Sequence, residues 1–190
     1  MAIKITAPLT EEILKTLRAG DSVELSGMIY TARDAAHKRL CALIAEGKEL
    51  PVDLKNAVIY YAGPAPAKPG QPIGPVGPTT SYRMDPYAPI LIREKGLKGM
   101  IGKGSRSDEV VAAMKECGAV YFGAIGGCAS LLAKCVKRAE IVCYEDLGAE
   151  AVRMLDVENL PLTVVIDAQG NDLYESGRDA YLKSLFLLSD

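Results

Sequence analysis

Short runs of apolar residues recur along the chain with two different spacings, so that strand-like and helix-like runs alternate. Ile3–Ala7 predicts a first strand, and Leu9–Leu17 predicts a helix with Thr10 as its N-cap. The apolar positions on either side of Gly27 predict two short strands. We interpret this opening as β-barrel-like rather than as the start of a βαβ unit.

The same alternation continues through the rest of the chain, and Ser107 is a second predicted N-cap. The pattern predicts, in order, a helix from Asp34 to Ala45, an apolar strand ending at Tyr61, a helix over Asp85–Glu94, a strand over 99–102, a helix over Asp108–Cys117, a strand over 119–125, a helix over Cys128–Val136, strands over Ile141–Tyr144 and 151–157, a hairpin about Gly170 and Asn171, and a helix or tail over the last ten residues.

These elements predict one domain over residues 1–190, of mixed α/β class and less regular than a doubly wound sheet. A Pro/Gly-rich loop, residues 63–78, lies within that domain. Loops of this length inside a compact domain are usually functional or disordered. The loop runs directly into Thr79, Thr80, Ser81 and Arg83, so we expect it to shape a site for a small anion.

Composition narrows the classes of function. The apolar content of 49% and charged content of 24% are typical of a globular protein, and a net charge of −2 does not suggest a nucleic acid or a polybasic membrane contact. No apolar run is long enough to cross a bilayer, and the N-terminus lacks a signal-peptide pattern. We therefore expect a cytoplasmic protein with no nucleic-acid or membrane partner.

The metal-binding residue types are sparse and scattered. The five cysteines form no Cys-x-x-Cys pair and lie mostly among apolar or small residues, so we expect buried thiols and no metal site in this chain. His37 is the single histidine, which excludes a zinc site built from several histidines.

Three cations stand beside glycine or hydroxyl residues near the ends of predicted strands. Arg33 follows Thr31, Arg83 follows the hydroxyl run 79–81, and Lys103 precedes Gly104. An arginine binds a carboxylate through two parallel hydrogen bonds, and a lysine adds a compact charge. Each cation alone is typical of a solvated surface, but together they indicate a dicarboxylate site.

Five motifs add a family resemblance that spans most of the chain. They are Ser-Gly-Met-Ile-Tyr-Thr-Ala-Arg-Asp-Ala-Ala-His-Lys-Arg (26–39), Tyr-Tyr-Ala-Gly-Pro (60–64), Gly-Pro-Thr-Thr-Ser-Tyr-Arg-Met-Asp (77–85), Gly-Lys-Gly-Ser-Arg-Ser (102–107) and Ala-Ile-Gly-Gly-Cys-Ala (124–129). In this order they resemble the β part of class I iron–sulfur fumarate hydratases, a family that includes the β subunit of L-tartrate dehydratase. Cys128 stands where some relatives have proline.

The resemblance implies a fold and separate roles for two subunits. It implies a swivelling β/β/α domain, as in the C-terminal part of class I fumarases. It also implies that this chain is the β subunit of a hydro-lyase and is inactive until paired with a fumarase-type α subunit. That α subunit would hold a 4Fe–4S cluster, and the complex would reversibly hydrate fumarate to (S)-malate in the tricarboxylic acid cycle. Homodimerisation of the β chain stays open.

The resemblance also implies roles for individual residues. Arg33, Arg83 and Lys103 would bind the substrate carboxylates and stabilise the charge of the aci-carboxylate intermediate. Thr79 would remove the C3 proton, or would position the substrate while a group of the α subunit moves the proton. Asp34 and His37 would support the site from behind, Asp34 as a helix cap or partner of Arg33 and His37 through a hydrogen bond.

Two other functions stay open at this point. One is the β subunit of L-tartrate dehydratase or of a mesaconate or methylfumarate hydratase, because these substrates need the same carboxylate contacts. The other is a non-catalytic domain that binds a small anion.

Overall fold

The computed structural model describes residues 2–187, and the side-chain surroundings up to residue 183. Within these residues the strands are β1 Ile3–Ala7, β2 Ser22–Thr31, β3 Val58–Tyr60, β4 Gly99–Gly102, β5 Val120–Gly123, β6 Val136–Cys143 and β7 Val152–Ile166. The α-helices are α1 Glu11–Thr16, α2 Asp34–Ala45, α3 Ala88–Lys95, α4 Asp108–Cys117, α5 Ala129–Lys134 and α6 Leu173–Leu187, and two 3-10 helices span Ser81–Met84 and Glu145–Glu150. The mixed α/β class is as predicted.

The strands form one sheet that closes on itself. β2, β3, β4 and β5 lie side by side and parallel, and β7 pairs antiparallel with both β5 and β2. This double pairing of β7 gives the barrel-like arrangement that the sequence predicts. The chain nevertheless opens with β1, α1 and a parallel β2, which is a βαβ unit, so that part of the prediction was wrong.

Strand alternation creates two hydrophobic cores. In β3, Val58 and Tyr60 pack in one core, and Ile59 together with the adjacent Tyr61 packs in the other. The second core also receives the inward faces of α2, α3 and α4, including Leu40 and Met114. Side chains that alternate between the two faces of a strand bury both of its surfaces, so β3 is apolar throughout.

Two strands are longer than predicted. β2 runs unbroken through Gly27, and β7 joins the strand predicted over 151–157 to the first strand of the predicted hairpin, 161–167, which the sequence pattern separates at residues 158–160. The register between these strands shifts at Gly27, and Asn159 there has a φ of 51° and donates from its backbone N–H to Ser26 Oγ at 3.0 Å. A β-bulge can carry a polar interruption without ending the strand, which is why the local pattern was misleading.

The region after β5 departs most from prediction. The helix predicted over Cys128–Val136 ends at Lys134, and β6 begins two residues later. β6 is an edge strand with exposed Lys137, Arg138 and Glu140, a charge pattern typical of edges and not of apolar strands.

Other boundaries moved as well. Residues 81–84 form a 3-10 helix, and α3 starts at Ala88 with Pro89 in its first turn. The return strand of the hairpin predicted about Gly170 is a single bridge between Ile166 and Asp172, after which α6 starts. The predicted terminal helix is therefore present, while residues 188–190 lie outside the described residues. Among residues 2–187, no helix combines the length and apolar character needed to cross a membrane.

Candidate active site

The predicted site residues meet at one edge of the sheet. Arg33 follows β2, the loop leading to Thr79 follows β3, and Lys103 follows β4. The glycine turn Gly126-Gly127, which was not among the predicted site residues, begins three residues after the end of β5. Because these four strands are parallel neighbours, their carboxyl ends lie side by side. Ligands of parallel α/β sheets bind at this edge.

Thr79 is held twice by the end of β3. Both its backbone N–H and its hydroxyl donate to the carbonyl oxygen of Tyr61, at 2.7 and 2.8 Å. The hydroxyl proton is therefore directed at the protein, and the oxygen lone pairs are left to accept a hydrogen bond. In this geometry Thr79 is arranged as an acceptor that can position a ligand, because an alkoxide would face the lone pairs of the Tyr61 carbonyl.

Lys103 is joined to the residues that follow Thr79. Ser81 N–H donates to the Lys103 carbonyl at 2.9 Å, and Lys103 N–H donates to Ser81 Oγ at 3.1 Å. The lysine side chain is exposed, and its Nζ lies 3.7 Å from where a Cβ on Gly126 would be. Lys103 therefore lies beside both the hydroxyl run and the glycine turn after β5.

Arg33, Asp34 and Arg83 form a line of alternating charges that ends on Glu150. Arg83 Nη2 donates to Asp34 Oδ2 at 2.7 Å, and Arg33 Nε lies 3.9 Å from Asp34 Oδ1, too far for a hydrogen bond. Arg33 Nη2 lies 3.1 Å from Glu150 Oε1. The prediction that Asp34 caps α2 was wrong, because Arg33 is the N-cap residue and Asp34 is the first residue of the helix. Asp34 does face Arg33, as the alternative predicted, but its shortest contact is with Arg83.

His37 lies fully buried behind Arg33. Its ring Nδ1 is 2.8 Å from the Arg33 carbonyl oxygen, so Nδ1 carries the proton and donates. The ring meets Tyr61 edge to face, and its Nε2 has no hydrogen-bond partner among the described residues. The pKa of His37 is lowered to about 4, mainly by burial and also by the nearby Arg106, while the hydrogen bond to the Arg33 carbonyl opposes this shift, so the imidazole is neutral at pH 7.

Sequence reasoning missed a buried cation beneath the site. Arg106 has a side chain that is 0% exposed, and its Nε donates to Asp85 Oδ1 at 2.7 Å. Its guanidinium carbon lies 5.3 Å from the ring centre of Tyr61 and 5.1 Å from that of Tyr121. Burial acts to lower the pKa of Arg106, but Tyr61 and Asp85 outweigh that effect and keep the guanidinium charged.

Arg106 links the segments that carry Thr79 and Lys103. The Tyr61 ring packs against Arg106, and the Tyr61 carbonyl oxygen accepts both hydrogen bonds of Thr79. The Tyr121 ring also packs against Arg106, and its hydroxyl lies 2.9 Å from Ser81 Oγ and donates to the Gly104 carbonyl at 2.9 Å. The signal in the sequence was the Gly-Lys-Gly-Ser-Arg-Ser motif, which contains Arg106 next to Lys103.

Metal ligands do not converge in the part of the chain that the structure describes. All five cysteines are free and half-buried, and no group of three or more His, Cys, Asp or Glu side chains among residues 2–187 could hold a metal ion. Burial raises the pKa of Cys41 to about 11 and also raises that of Cys135 and Cys143, so these thiols stay protonated at pH 7. The described residues therefore do not fit an iron–sulfur cluster.

The structure also has a surface groove, lined in part by Pro64 and Ala149. It has a volume of about 420 Å³ and runs between the Pro/Gly loop and β6. Its one arginine, Arg153, donates to the carbonyl oxygens of Gly148, Ala149 and Ala151. Among the described residues that line this groove Arg153 is the single cation, whereas Arg33, Arg83 and Lys103 lie at the strand edge, so the strand edge is the better-equipped site for an anion.

Comparison with known proteins gives this arrangement a context. The family model for the fumarase C-terminus matches residues 1–177. The chain is 43% identical over 154 residues to fumarate hydratase 1 (mitochondrial) of Leishmania major, and 44% identical over 154 residues to the anaerobic class I fumarate hydratase of Escherichia coli K12. Each match covers 80% of this chain and 28% of the relative.

A third relative is of similar length to this chain. It is a Methanocaldococcus jannaschii protein provisionally named as the β subunit of an L(+)-tartrate dehydratase, 41% identical over 172 residues that cover 88% of each chain. The chain thus spans less than a third of the two fumarate hydratases and most of the length of this β subunit.

Proposed function

This chain belongs to the fumarase C-terminal family, and from that premise we propose that it is the β subunit of a two-subunit hydro-lyase that reversibly hydrates fumarate to (S)-malate. The observation that carries the proposal is the meeting of Arg33, Thr79, Arg83 and Lys103 at the carboxyl edge of four parallel strands. Relatives named as fumarate hydratase and as tartrate dehydratase support a hydro-lyase. The swivelling β/β/α description of the fold stays part of the proposal.

Each site residue has a role that its contacts support. Arg33 and Arg83 bind the substrate carboxylates, because a guanidinium held by a protein carboxylate on one edge still has donors on its other edge. Lys103 adds a positive charge to stabilise the anionic intermediate. Thr79 orients the substrate through its lone pairs, and the proton transfer falls to the partner. This favours the second of the two roles that the sequence left open.

The partner is a fumarase-type α subunit that covers this edge. The two fumarate hydratases, of which the match covers 28%, contain the corresponding region within one longer protein, and the Methanocaldococcus protein is named as a β subunit. Two large apolar side chains beside the site support a covered surface, since Ile125 is 72% exposed and Tyr82 is 64% exposed. They adjoin Gly126 and Arg83, respectively.

The 4Fe–4S cluster belongs to the α subunit in this proposal. When bound there, it supplies a Lewis acid for the departing or entering hydroxyl. The residues of this chain bind and orient the dicarboxylate and, once covered, keep water from it.

A tartrate dehydratase is the second candidate, favoured by the relative that matches 88% of both chains. The carboxylate contacts would be the same, and the extra hydroxyl of tartrate would change only local contacts.

The test is anaerobic co-expression with the α subunit and iron, followed by assays for the dehydration product of each substrate, which is fumarate from malate and oxaloacetate from tartrate. We expect fumarate formation from malate by the complex and by neither chain alone. If the complex turned over tartrate in preference to malate, the same site roles would apply to the second candidate, a tartrate dehydratase. Lack of both a complex and any activity would favour the non-catalytic anion-binding domain.

Two arginine variants make the test residue-specific. Arg83 and Arg93 each donate to one carboxylate, at 2.7 and 2.8 Å, with side chains 42% and 37% exposed. Arg83→Ala should lower kcat/KM by about a hundredfold or more, since the loss of one donor to a developing charge typically costs that much. Arg93→Ala, which lies away from the site, should have wild-type rates. Wild-type rates in both variants would refute the site.

A further inference from the structure

We propose that Glu150 is a positioning residue for Arg33, holding its guanidinium in the orientation that the substrate requires. Glu150 ends the 3-10 helix Glu145–Glu150, far along the chain from the motifs that contain the other site residues. The role given to Arg33 rests on the proposed function, but the contact between the two side chains does not.

The Glu150 carboxylate makes two contacts with the start of α2. Oε1 lies 3.1 Å from Arg33 Nη2, and Oε2 accepts a hydrogen bond from Ala35 N–H at 3.4 Å. Arg33 is the N-cap residue of α2, and its own side chain caps nothing, so an amide of the first turn needs an acceptor from elsewhere. One carboxylate therefore fixes the guanidinium relative to the backbone of the helix that carries it.

Arg33 is also confined by Gly63. A Cβ built on Gly63 would lie 3.2 Å from both Cδ and Nη1 of Arg33, so the arginine packs against bare backbone there. Its side chain is only 20% exposed. Glu150 and Gly63 together select one orientation of a side chain that otherwise has many rotamers.

The charges of the site distinguish a positioning role of Glu150 from an effect on the electrostatic attraction of the substrate. Glu150, Arg33, Asp34 and Arg83 alternate in sign and sum to zero. Removing the charge of Glu150 makes the site more positive, which favours the binding of a dicarboxylate in any orientation. Loss of orientation, in contrast, lowers the rate of the chemical step, because a displacement of about 1 Å can cost about a hundredfold.

Glu150→Gln in the α–β complex is the direct test. We expect kcat for malate to fall about tenfold to a hundredfold while KM does not rise. An unchanged kcat would overturn the proposal, and so would a raised KM with an unchanged kcat, which would indicate binding alone.

Asp146→Asn is the matched control. Asp146 accepts two hydrogen bonds from Arg39, at 2.8 and 2.5 Å, and so also ties the 3-10 helix Glu145–Glu150 to α2 without touching Arg33. If Glu150 served only to attach these two elements, both variants would behave alike. We expect wild-type kcat in Asp146→Asn, and an equal loss in the two variants would refute the positioning role.

A double-mutant cycle tests whether Glu150 acts through Arg33. Arg33→Lys removes the planar fork, so Glu150→Gln should cost little further activity in that background. A full additional loss would show that Glu150 acts elsewhere.

An NMR measurement on the isolated chain tests the positioning role of Glu150 independently of the proposed function. The Nε–Hε NMR signal of Arg33, assigned with Arg33→Lys, should shift or broaden in Glu150→Gln and stay unchanged in Asp146→Asn. An unshifted signal in Glu150→Gln would overturn the positioning role. If the wild-type complex had no hydratase activity, the proposed function would fail and this measurement would still decide the inference.

Discussion

Replacing Arg106 by methionine should destabilise the chain more than any surface substitution, because it leaves a carboxylate beneath the site without its cation. The side chain of Arg106 is 0% exposed and that of Asp85 is 12% exposed, with 2.7 Å between Nε and Oδ1. Methionine fills a similar volume and removes the charge, so packing is largely kept. Asp85 then keeps only the hydrogen bond from Ser107 N–H, at 2.7 Å.

The magnitude follows from the burial of the pair. Removing one partner of a buried ion pair costs about 3–5 kcal/mol. The loss of the contacts with the rings of Tyr61 and Tyr121 adds to this in the same direction. In a domain of this size each kcal/mol lowers Tm by about 2–4 °C, so Tm should fall by about 6–20 °C.

Thermal unfolding followed by circular dichroism measures this effect. The control is Arg93→Met, which removes an exposed arginine paired with Glu116 and should leave Tm close to wild type. In Asp85→Asn combined with Arg106→Met the buried charge is removed as well, so the double variant should be more stable than the sum of the two single losses predicts. A Tm for Arg106→Met within about 2 °C of wild type, below the smallest shift expected here, would refute the reasoning.

Two further predictions concern the surroundings of the site. His37 has a pKa of about 4 in the folded chain against 6.5 when unfolded, so its contribution to stability is complete above pH 6.5 and falls by about 3 kcal/mol as the pH drops to 4. Urea unfolding should show the advantage of wild type over His37→Asn shrinking by that amount, and a difference independent of pH would contradict it. A Cβ on Gly102 would lie 1.9 Å from Ser81 Oγ, so Gly102→Ala should displace that hydroxyl from Lys103 N–H and cost about 1–3 kcal/mol. Gly177→Ala in α6, where an added Cβ would meet nothing within 4 Å beyond the backbone of its own helix, should be neutral or stabilising, and equal stabilities of the two variants would contradict the overlap.

Local sequence patterns predicted correctly those features that depend on residues close together in the chain, such as helix caps and apolar strands. Thr10 and Ser107 cap α1 and α4 as predicted, each accepting from a backbone N–H three residues on. The strands of the closed sheet were found by their apolar runs, and the cations at their ends could be grouped because parallel strands end together. Motif similarity supplied the same residues independently.

Contacts across long sequence separations could not be predicted. Glu150 lies 115 positions from the amide of Ala35 that it accepts from, and no pattern around it marks a partner. The burial of Arg106 depends on Tyr61, directly after β3, and on Tyr121 in β5, whereas a lone arginine in a polar turn is typical of a surface. The continuity of β2 and β7 depends on a bulge shared by both strands, which neither sequence reveals alone.

The charge pattern of the site accounts for the need for a partner under the proposed function. Arg33 and Arg83 are each already paired with a carboxylate of the chain, so in water they offer a dicarboxylate little net attraction beyond that of Lys103. Two unit charges 4 Å apart interact with about 1 kcal/mol in bulk water and about 4 kcal/mol at the effective dielectric of a protein surface. A subunit that covers Ile125 and Tyr82 would exclude water from this edge and strengthen every contact made there. The same residues that form a weak anion site in the single chain would then form a strong, oriented dicarboxylate site in the complex.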